Sequence, residues 1–269
     1  MSAGSGSKNR SGSARGKAGR PDRGSTRAKI QAQREAEARR KRRRNFLSGG
    51  AAAVVAVVVG ISVALTTGGG GQSVAGNKLA ALSTLGTLQP APAPGATGPE
   101  GVAVPAAAAL AGPAATTTGQ SINGISCQTS EQTLFHIHAH LTIFVNGQAR
   151  QVPAAIGIPG ATATQTPSGP FIGSGTCFYW LHTHAADGII HIESPVQRTF
   201  TLGDFFAEWG QPLSTTQVGP ATGHVTALYN GQVYTGNPSS IPLAAHAQIQ
   251  LEVGTPLIAP VSTAFPNGL

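Results

Sequence analysis

Composition and charge divide the 269-residue chain into unlike parts. Only 10% of the residues are charged, against 36 Gly and 19 Pro, which excludes much of the chain from a packed core. Fifteen of the 18 Lys and Arg residues precede position 45, where three acidic residues accompany them, so this segment carries a net charge of +12 and the remainder −4. The sequence pI of about 10.2 therefore reflects the N-terminal segment alone.

The first 45 residues are predicted to form a basic cytoplasmic tail that is largely disordered. Residues 1–24 are mostly Ser, Gly, Arg and Lys, with too few apolar side chains to offset the entropy of ordering. Residues 27–44 favour a solvated helix without an apolar stripe. A basic tail can bind nucleic acid, but no groove-reading motif or interleaved aromatic residues accompany it, so we predict no nucleic-acid partner.

Residues 46–67 are predicted to form a transmembrane helix. These 22 residues carry no charge and are centred on AAAVVAVVVGISVAL, and a helix of this length spans ~33 Å. The basic run at residues 39–44 places the N-terminus in the cytoplasm and everything after residue 67 outside, as a single-pass cell-membrane protein. The tail then contacts anionic lipid. A cleaved signal peptide is the alternative, but the preceding basic region is long for one.

Residues 68–124 have the composition of a stalk. They are rich in Ala, Gly, Pro and Thr, and Lys78 and Glu100 are their only charged residues. Proline favours extended backbone and glycine loosens it. We therefore expect this segment to hold the C-terminal domain away from the membrane without folding.

Residues 125–269 are predicted to form a mainly β extracytoplasmic domain, an antiparallel sandwich or barrel with one short helix. Asn146-Gly147 and Asn230-Gly231 are favoured two-residue hairpin turns between β-branched segments. The segment 201–204 matches a capping box and predicts a short amphipathic helix that Gly210 ends.

The stretch 157–176 interrupts this pattern of strands. It consists largely of Gly, Pro, Thr and Ser, shows no periodicity and is longer than most connections within compact domains. Two interpretations remain open: a flap over the histidines or a tolerated insertion.

Residues 178–193 read FYWLHTHAADGIIHIE and form an apparent hairpin with three histidines. His182 and His184 share one face of a strand because side chains alternate with period two. A four-residue loop places His182 opposite His191, and a two-residue loop places His184 there. Both registers bring all three histidines to one face, whereas a three- or five-residue loop would turn His191 away.

A second histidine strand is predicted at residues 135–145, which read FHIHAHLTIFV. Its three histidines alternate with apolar residues, so six of the eight histidines of the chain lie in two short strands. Imidazole nitrogen suits zinc, copper, iron or nickel, and exposure alone does not favour histidine on a strand surface. We predict a copper or zinc site with the ligands His136, His138, His140, His182, His184 and His191.

Two carboxylates accompany the histidines. Glu193 shares the face of His191. It is predicted either to act as a general base or to accept a hydrogen bond from the N–H of a metal-bound imidazole. Asp187 lies in the hairpin turn, where it serves either the site or the turn geometry. His224 and His246 stand singly in other segments and are not expected to bind the metal.

Cys127 and Cys177 are the only cysteines, and each precedes a histidine strand. In the oxidising surroundings predicted for this domain they favour a disulfide, which would close a loop of about 50 residues and bring the strands together. Thiolate ligation of a soft metal such as Cu(I) is the alternative.

The strings FHIHAHLTIFVNG, LHTHAADGIIHIESP and FTLGDFFAEWG resemble an uncharacterised bacterial and archaeal extracytoplasmic family. Members of that family carry an HxHxH strand and an LHTHD-type hairpin that ends in IHIE. The resemblance covers about residues 132–253 and implies a shared histidine constellation without an established activity. Ala185 stands where the family pattern has Asp, which leaves Asp187 as the nearest carboxylate.

Three function classes follow from these patterns. The first is a membrane-anchored metal binder, and the second is a metal-dependent enzyme, hydrolase-like, in which a metal activates water and Glu193 assists. The third is a non-catalytic surface interaction module. Because the chain shows no nucleophile motif, cofactor fingerprint or paired carboxylates, binding is favoured over catalysis.

Overall fold

The computed structural model describes Met1 and residues 78–113 and 119–269. The predicted transmembrane helix and all but the first residue of the predicted basic tail lie outside these residues. Within the described ranges, no helix is both long enough and apolar enough to cross a bilayer.

The described residues form a mainly β structure with one short α-helix. The helix α1 spans Leu202–Glu208, and 3₁₀ turns occur at Leu82–Leu85 and Pro238–Ser240. The strands are β1 (Leu79–Ala80), β2 (Cys127–Gln128), β3 (Phe135–Val145), β4 (Gln148–Arg150), β5 (Thr162–Thr166), β6 (Gly169–Ser174), β7 (Phe178–Tyr179), β8 (Leu181–His182), β9 (Ile189–Ser194), β10 (Leu213–Ser214), β11 (Gln217–Val218), β12 (Ala221–Thr222), β13 (Val225–Tyr229), β14 (Gln232–Tyr234) and β15 (Gln248–Val253).

The main sheet has the strand order β1-β14-β13-β15-β3-β9-β8, and β4 also pairs with β3. Most neighbours run antiparallel, but β15 runs parallel to β3. The prediction of an antiparallel domain is therefore wrong at this pair, and the sheet is mixed. No hairpin turn links β3 to β15, so local turn geometry does not set their relative direction. Closure into a sandwich or barrel stays a prediction.

Two asparagine-glycine turns form the hairpins that the sequence predicts. Asn146 and Gly147 connect β3 to β4, and Asn230 and Gly231 connect β13 to β14. All four residues have positive φ, between 50° and 76°. Positive φ at both central residues is the geometry whose twist matches that of the flanking strands, and Asn-Gly adopts it readily.

The apolar face of β3 packs in the hydrophobic core with the helix. Four side chains of this core are 0% exposed: Ile143 of β3, Ile192 of β9, Phe205 of α1 and Trp209, which caps the end of α1. The predicted capping box is present, because the Thr201 hydroxyl accepts from the Asp204 backbone N–H and the Asp204 carboxylate accepts from the Thr201 N–H. The histidines of β3 occupy its opposite face.

Residues 78–113, which the sequence assigns to the stalk, pair and pack with the β structure. Strand β1 adds to the edge strand β14, and bridges join Gln89 to Ile258 and Ala109 to Gln151. Val102 and Leu110 are buried. The stalk expectation fails for these residues because their backbone groups find partners at the edges of the sheet, which low-complexity composition does not reveal.

The stretch 157–176 contains a hairpin of its own, formed by β5 and β6. Of the two interpretations, the flap is the one that its contacts favour. Phe171 stacks on the His184 ring with centroids 4.9 Å apart, and the Ile172 N–H donates to the His184 carbonyl oxygen.

Candidate metal centre

Three adjacent strands bring the predicted histidines to one face of the sheet. Strand β9 lies between β3 and β8, and its His191 is directly opposite His138 on one side and His182 on the other. The pairing of His182 with His191 is the register of the four-residue loop. His191 is thus the midpoint of the cluster, because directly opposed side chains on one face have neighbouring Cβ atoms.

The first group of converging donors, called group one below, consists of His136, His138, His191 and Glu193, whose ligand atoms all lie within 4.8 Å of one another. His138 Nε2 is 3.0 Å from His136 Nε2 and 3.1 Å from His191 Nδ1. Glu193 Oε1 is 3.0 Å from His136 Nε2. Three imidazoles and a carboxylate at these separations have the composition of a transition-metal site.

The second group, called group two, consists of His182, His184, His191 and Glu193, again within 4.8 Å. His182 Nδ1 is 2.8 Å from the Tyr179 carbonyl oxygen, and His184 Nδ1 contacts the Ile172 carbonyl oxygen. A carbonyl only accepts, so both Nδ1 atoms carry the proton and, in the neutral rings, both Nε2 atoms carry a lone pair.

These two lone pairs face each other. His182 Nε2 and His184 Nε2 are 3.2 Å apart, and neither can donate to the other. Two acceptors at that distance repel unless a cation lies between them. Two imidazole nitrogens on a tetrahedral zinc ion, each ~2.05 Å from the metal, are about 3.3 Å apart. The observed separation therefore fits a shared metal ion.

Burial keeps these imidazoles neutral. It lowers the pKa of His182 well below its ordinary value, with the neighbouring His184 and His191 adding to the effect. Burial, followed by the charge of His191, also lowers the pKa of His184, and lowers that of His138 to about 3. Neutral imidazole is the form that binds metal, so at physiological pH these donors need not lose a proton first.

The central histidine behaves differently. Burial lowers the pKa of His191, but hydrogen bonds to Glu100 and Glu193 outweigh burial and raise it to about 9. Without a metal, His191 is thus an imidazolium ion between two carboxylates. Metal binding at His191 must displace a proton.

Glu100 is a site residue that sequence reasoning missed. Its Oε1 is 2.7 Å from His191 Nε2, and the two side chains are only 4% and 8% exposed. Glu100 belongs to the segment that was expected to be a stalk. The low-complexity composition of that segment gave no reason to place one of its residues in the site. One signal for Glu100 was present in the sequence, because it is the single acidic residue among residues 68–124.

Glu131 is a second missed carboxylate, at the exposed rim. Its Oε1 is 3.6 Å from His184 Nε2, and its side chain is 40% exposed. It precedes β3 by a short loop, and the pattern of alternating histidines gives no reason to include it.

His140 lies outside both groups although the sequence predicts it as a ligand. Its Nε2 donates to the Asp187 carbonyl oxygen at 2.9 Å, and the hydroxyls of Thr142 and Thr263 lie 3.4 Å from its Nδ1. Burial lowers the pKa of His140 to about 4. Its ring nitrogens are therefore engaged by backbone and hydroxyl groups, and it supports the hairpin turn.

The two predicted carboxylates have different surroundings. Burial raises the pKa of Glu193, but hydrogen bonds from His136 and His191 outweigh it and hold the pKa below its usual range, so Glu193 is a ligand-like anion and a weak base. Asp187 Oδ1 accepts from the Ile189 N–H in the turn. Asp187 belongs to neither group.

The remaining two histidines lie on other segments, and their having no role in metal binding stays a prediction. His224 is exposed, and His246 stacks on Phe265 with ring centroids 4.6 Å apart. Neither belongs to a group of converging donors within the described residues.

The predicted disulfide joins Cys127 and Cys177, whose Cα atoms are 5.5 Å apart. Thiolate ligation of a metal by these cysteines is therefore wrong, since both sulfurs are bonded to each other. The disulfide sits where β2 pairs with β7, immediately before β8, and so fixes the start of the histidine hairpin. Closing a loop of this size is worth about 4 kcal/mol in the chain-entropy account.

No protein-family model, curated protein or solved structure matches the chain. Fold and site define it as a mainly β protein with buried His and Glu clusters at metal-binding distance. The resemblance to an extracytoplasmic family therefore rests on its motifs alone.

Proposed function

We propose that the chain is a membrane-anchored extracytoplasmic protein that binds a transition metal ion, copper or zinc, through its clustered histidines. The observation that carries this proposal is the 3.2 Å separation of two Nε2 lone pairs whose Nδ1 protons are committed to backbone carbonyls. Buried acceptors that face each other are costly unless a cation satisfies both.

The donor chemistry supports zinc or copper over hard cations. Calcium and magnesium prefer oxygen ligands, whereas both groups are dominated by imidazole nitrogen. Since both cysteines are in the disulfide, the soft thiolates that select Cu(I) are missing from the described residues. Cu(II) and Zn(II) are therefore the favoured ions.

The proposed location is supported by two independent features. A disulfide persists in oxidising surroundings, which suits a domain outside the cytoplasm. The uncharged residues 46–67 follow a basic run, which suits an anchor with a cytoplasmic N-terminus. Protease added to intact cells should remove the histidine domain and spare the basic tail, and protection of the domain would reverse this orientation.

Metal analysis tests the binding function directly. The full-length chain, purified in mild detergent without added metal, is expected to contain at least one zinc or copper ion. His184→Ala should weaken the binding of the zinc ion that this side chain holds at least about 100-fold in equilibrium dialysis, because losing a direct ligand costs more affinity than losing a hydrogen-bond partner of a ligand. His224→Ala is the matched control and should bind as the unaltered chain does. A folded chain that stays empty under both zinc and copper would overturn the proposal.

A metal-dependent enzyme is the second candidate, and a cavity lined by Asp187 favours it. The cavity has a volume of about 520 Å³ and is lined by His140, Asp187 and Arg150, by residues 92–95 and by residues 261–264, among others. Burial and the Glu100 carboxylate raise the pKa of Asp187 to about 7, which suits a general acid or base at neutral pH better than the strongly acidic Glu193 does.

Hydrolysis of activated ester and phosphate substrates tests this candidate. The zinc-loaded chain should hydrolyse one of these classes, and Asp187→Asn should abolish turnover while the chain keeps its zinc. Turnover that survives Asp187→Asn would exclude the aspartate as the base. Turnover that is equally fast after the zinc has been removed would exclude metal-dependent hydrolysis.

A further inference from the structure

Groups one and two together, called the cluster here, contain more donor side chains than one transition-metal ion binds. His136 and His138 belong only to group one, His182 and His184 belong only to group two, and His191 and Glu193 belong to both. Zinc binds four ligands in almost all structural sites. Five imidazoles and a shared carboxylate therefore exceed the needs of one zinc ion, before the two further glutamates are considered.

The two oxygens of the Glu193 carboxylate have different surroundings. Its Oε1 contacts His136 Nε2 at 3.0 Å and His191 Nδ1 at 3.5 Å, within group one. Its Oε2 is buried and has no hydrogen-bond partner among the described residues. A buried carboxylate oxygen without a partner is costly, and an ionised carboxylate has lone pairs enough for two cations. A second ion bound to this oxygen would satisfy it.

The charge around the cluster also exceeds what one divalent ion balances. Glu100 contacts His191 and Glu131 approaches His184, so three carboxylates surround the imidazoles. Glu100 Oε2 is a further buried oxygen without a hydrogen-bond partner in the described part of the chain. Burying net negative charge in a low-dielectric site is unfavourable unless cations compensate it. One divalent ion leaves these three carboxylates with a net charge of −1 and two leave +1, so the charge around the cluster permits a second ion.

We propose that the cluster holds two transition-metal ions joined by the Glu193 carboxylate, one bound by His136 and His138 and the other by His182 and His184. His191, whose neutral ring has a single lone pair, binds one of the two. This inference rests on the proposed metal-binding function. Glu193 is on the middle strand β9, between β3 with its histidines and β8 with His182, and this position is what places it between the ions. Carboxylate-linked ions lie about 3.5–4 Å apart in two-metal sites.

Zinc stoichiometry of the full-length chain in mild detergent tests the number of ions. Equilibrium dialysis against Zn²⁺, followed by elemental analysis, should give two ions per chain. His136→Ala and His184→Ala should each leave one, since each removes a ligand that only one group uses. Where His184→Ala does not fold by circular dichroism, His182→Ala removes a ligand from the same group. His140→Gln is the matched control, a buried histidine of β3 outside both groups, and should keep two ions.

The Glu193 link is tested separately with Cu²⁺. Electron paramagnetic resonance of the copper-loaded chain should show the lost intensity and altered line shape of two coupled ions. His136→Ala should restore the full signal of one isolated copper ion. Glu193→Gln should lower the affinity for at least one ion about 10-fold or more, because a neutral amide replaces the shared anion.

The outcomes separate this inference from the function on which it rests. One zinc ion per chain, lost in both His136→Ala and His184→Ala, would overturn the two-ion centre and leave the metal-binding function intact. A chain that binds no zinc or copper would overturn both. Two copper ions without magnetic coupling would overturn the Glu193 link.

Discussion

The two faces of strand β3 are both buried in the middle of the strand but differ in what they contact. On one face Ala139, Leu141 and Ile143 are at most 2% exposed and pack in the hydrophobic core. On the other, His138 and His140 are 4% and 6% exposed, and the His138 ring meets other imidazoles. Burial of the first face stabilises the fold, whereas burial of the second costs free energy until a cation is bound. Equal burial on two faces therefore does not mean equal contribution to stability.

The largest expected effect lies on the apolar face. Ile143→Ala should lower the free energy of unfolding by about 2–5 kcal/mol, because it removes buried carbon atoms and leaves a cavity. Denaturant unfolding of the metal-free chain measures this loss. The exposed Val196→Ala is the control and should change stability by less than about 0.5 kcal/mol. A similar loss in both variants would contradict the assignment of this face to the core.

Acid should destabilise the histidine face in the metal-free chain. The lowered pKa values of His138, His182 and His184 mean that the unfolded chain binds protons below pH 6.5 that the folded chain does not. Stability should therefore fall as pH decreases from about 6.5 towards 3. Asp187 opposes this trend, because its pKa is raised to about 7 and its protonated form adds stability as pH falls below 7. The raised pKa of His191 acts at higher pH, where its contribution is lost as pH rises from 6.5 through about 9. Unfolding curves between pH 7.5 and 5 that do not shift would mean that the three rings are not buried neutral.

Glu100 should matter for metal affinity more than for folding. Glu100→Gln removes the charge from a 2.7 Å contact with His191 and should weaken zinc binding about 10- to 100-fold, as losses of outer partners of metal ligands do. The matched control is Lys78→Gln, which changes the other charged residue of residues 68–124. Lys78 lies over the Tyr234 ring, away from the cluster. Equal zinc affinity in Glu100→Gln and the unaltered chain would remove Glu100 from the site.

The smallest effect concerns a buried carboxyl outside both metal groups. Glu208 of α1 is 0% exposed, and its pKa is raised well above the ordinary value, first by burial and then by Asp204. A raised carboxyl pKa means that stability is lost as pH rises above about 4.5, where the unfolded chain releases the proton. Glu208→Gln should therefore raise stability at pH 7 by about 1 kcal/mol and flatten its pH dependence.

Glu252→Gln is the control for this last prediction. Glu252 is also buried, but its carboxylate accepts from the Gln250 side chain and the Ile258 N–H. Removing a satisfied acceptor should not stabilise the chain. Stabilisation in both variants would show that removal of any buried charge suffices.

The sequence alone determined the features that depend on short-range geometry. Alternation with period two placed the histidines of each strand on one face, and positive φ at Asn-Gly set two hairpins. The capping box of α1 followed from the spacing of Thr201 and Asp204. With only two cysteines in the chain, one disulfide was possible. These rules act over a few residues or over a single pair, so the sequence states them directly.

Only the tertiary structure decided which distant segments meet. The pairing of His182 with His191 selected one of several registers, and the parallel pairing of β15 with β3 had no local signal. Glu100 contacts His191 because residues 78–113 pair and pack with the β structure. His140 is not part of the cluster because its ring N–H donates to the carbonyl oxygen of Asp187 in the turn. Such contacts depend on the free energy of burial and on unpaired backbone groups summed over the whole domain, and no window of sequence contains that sum.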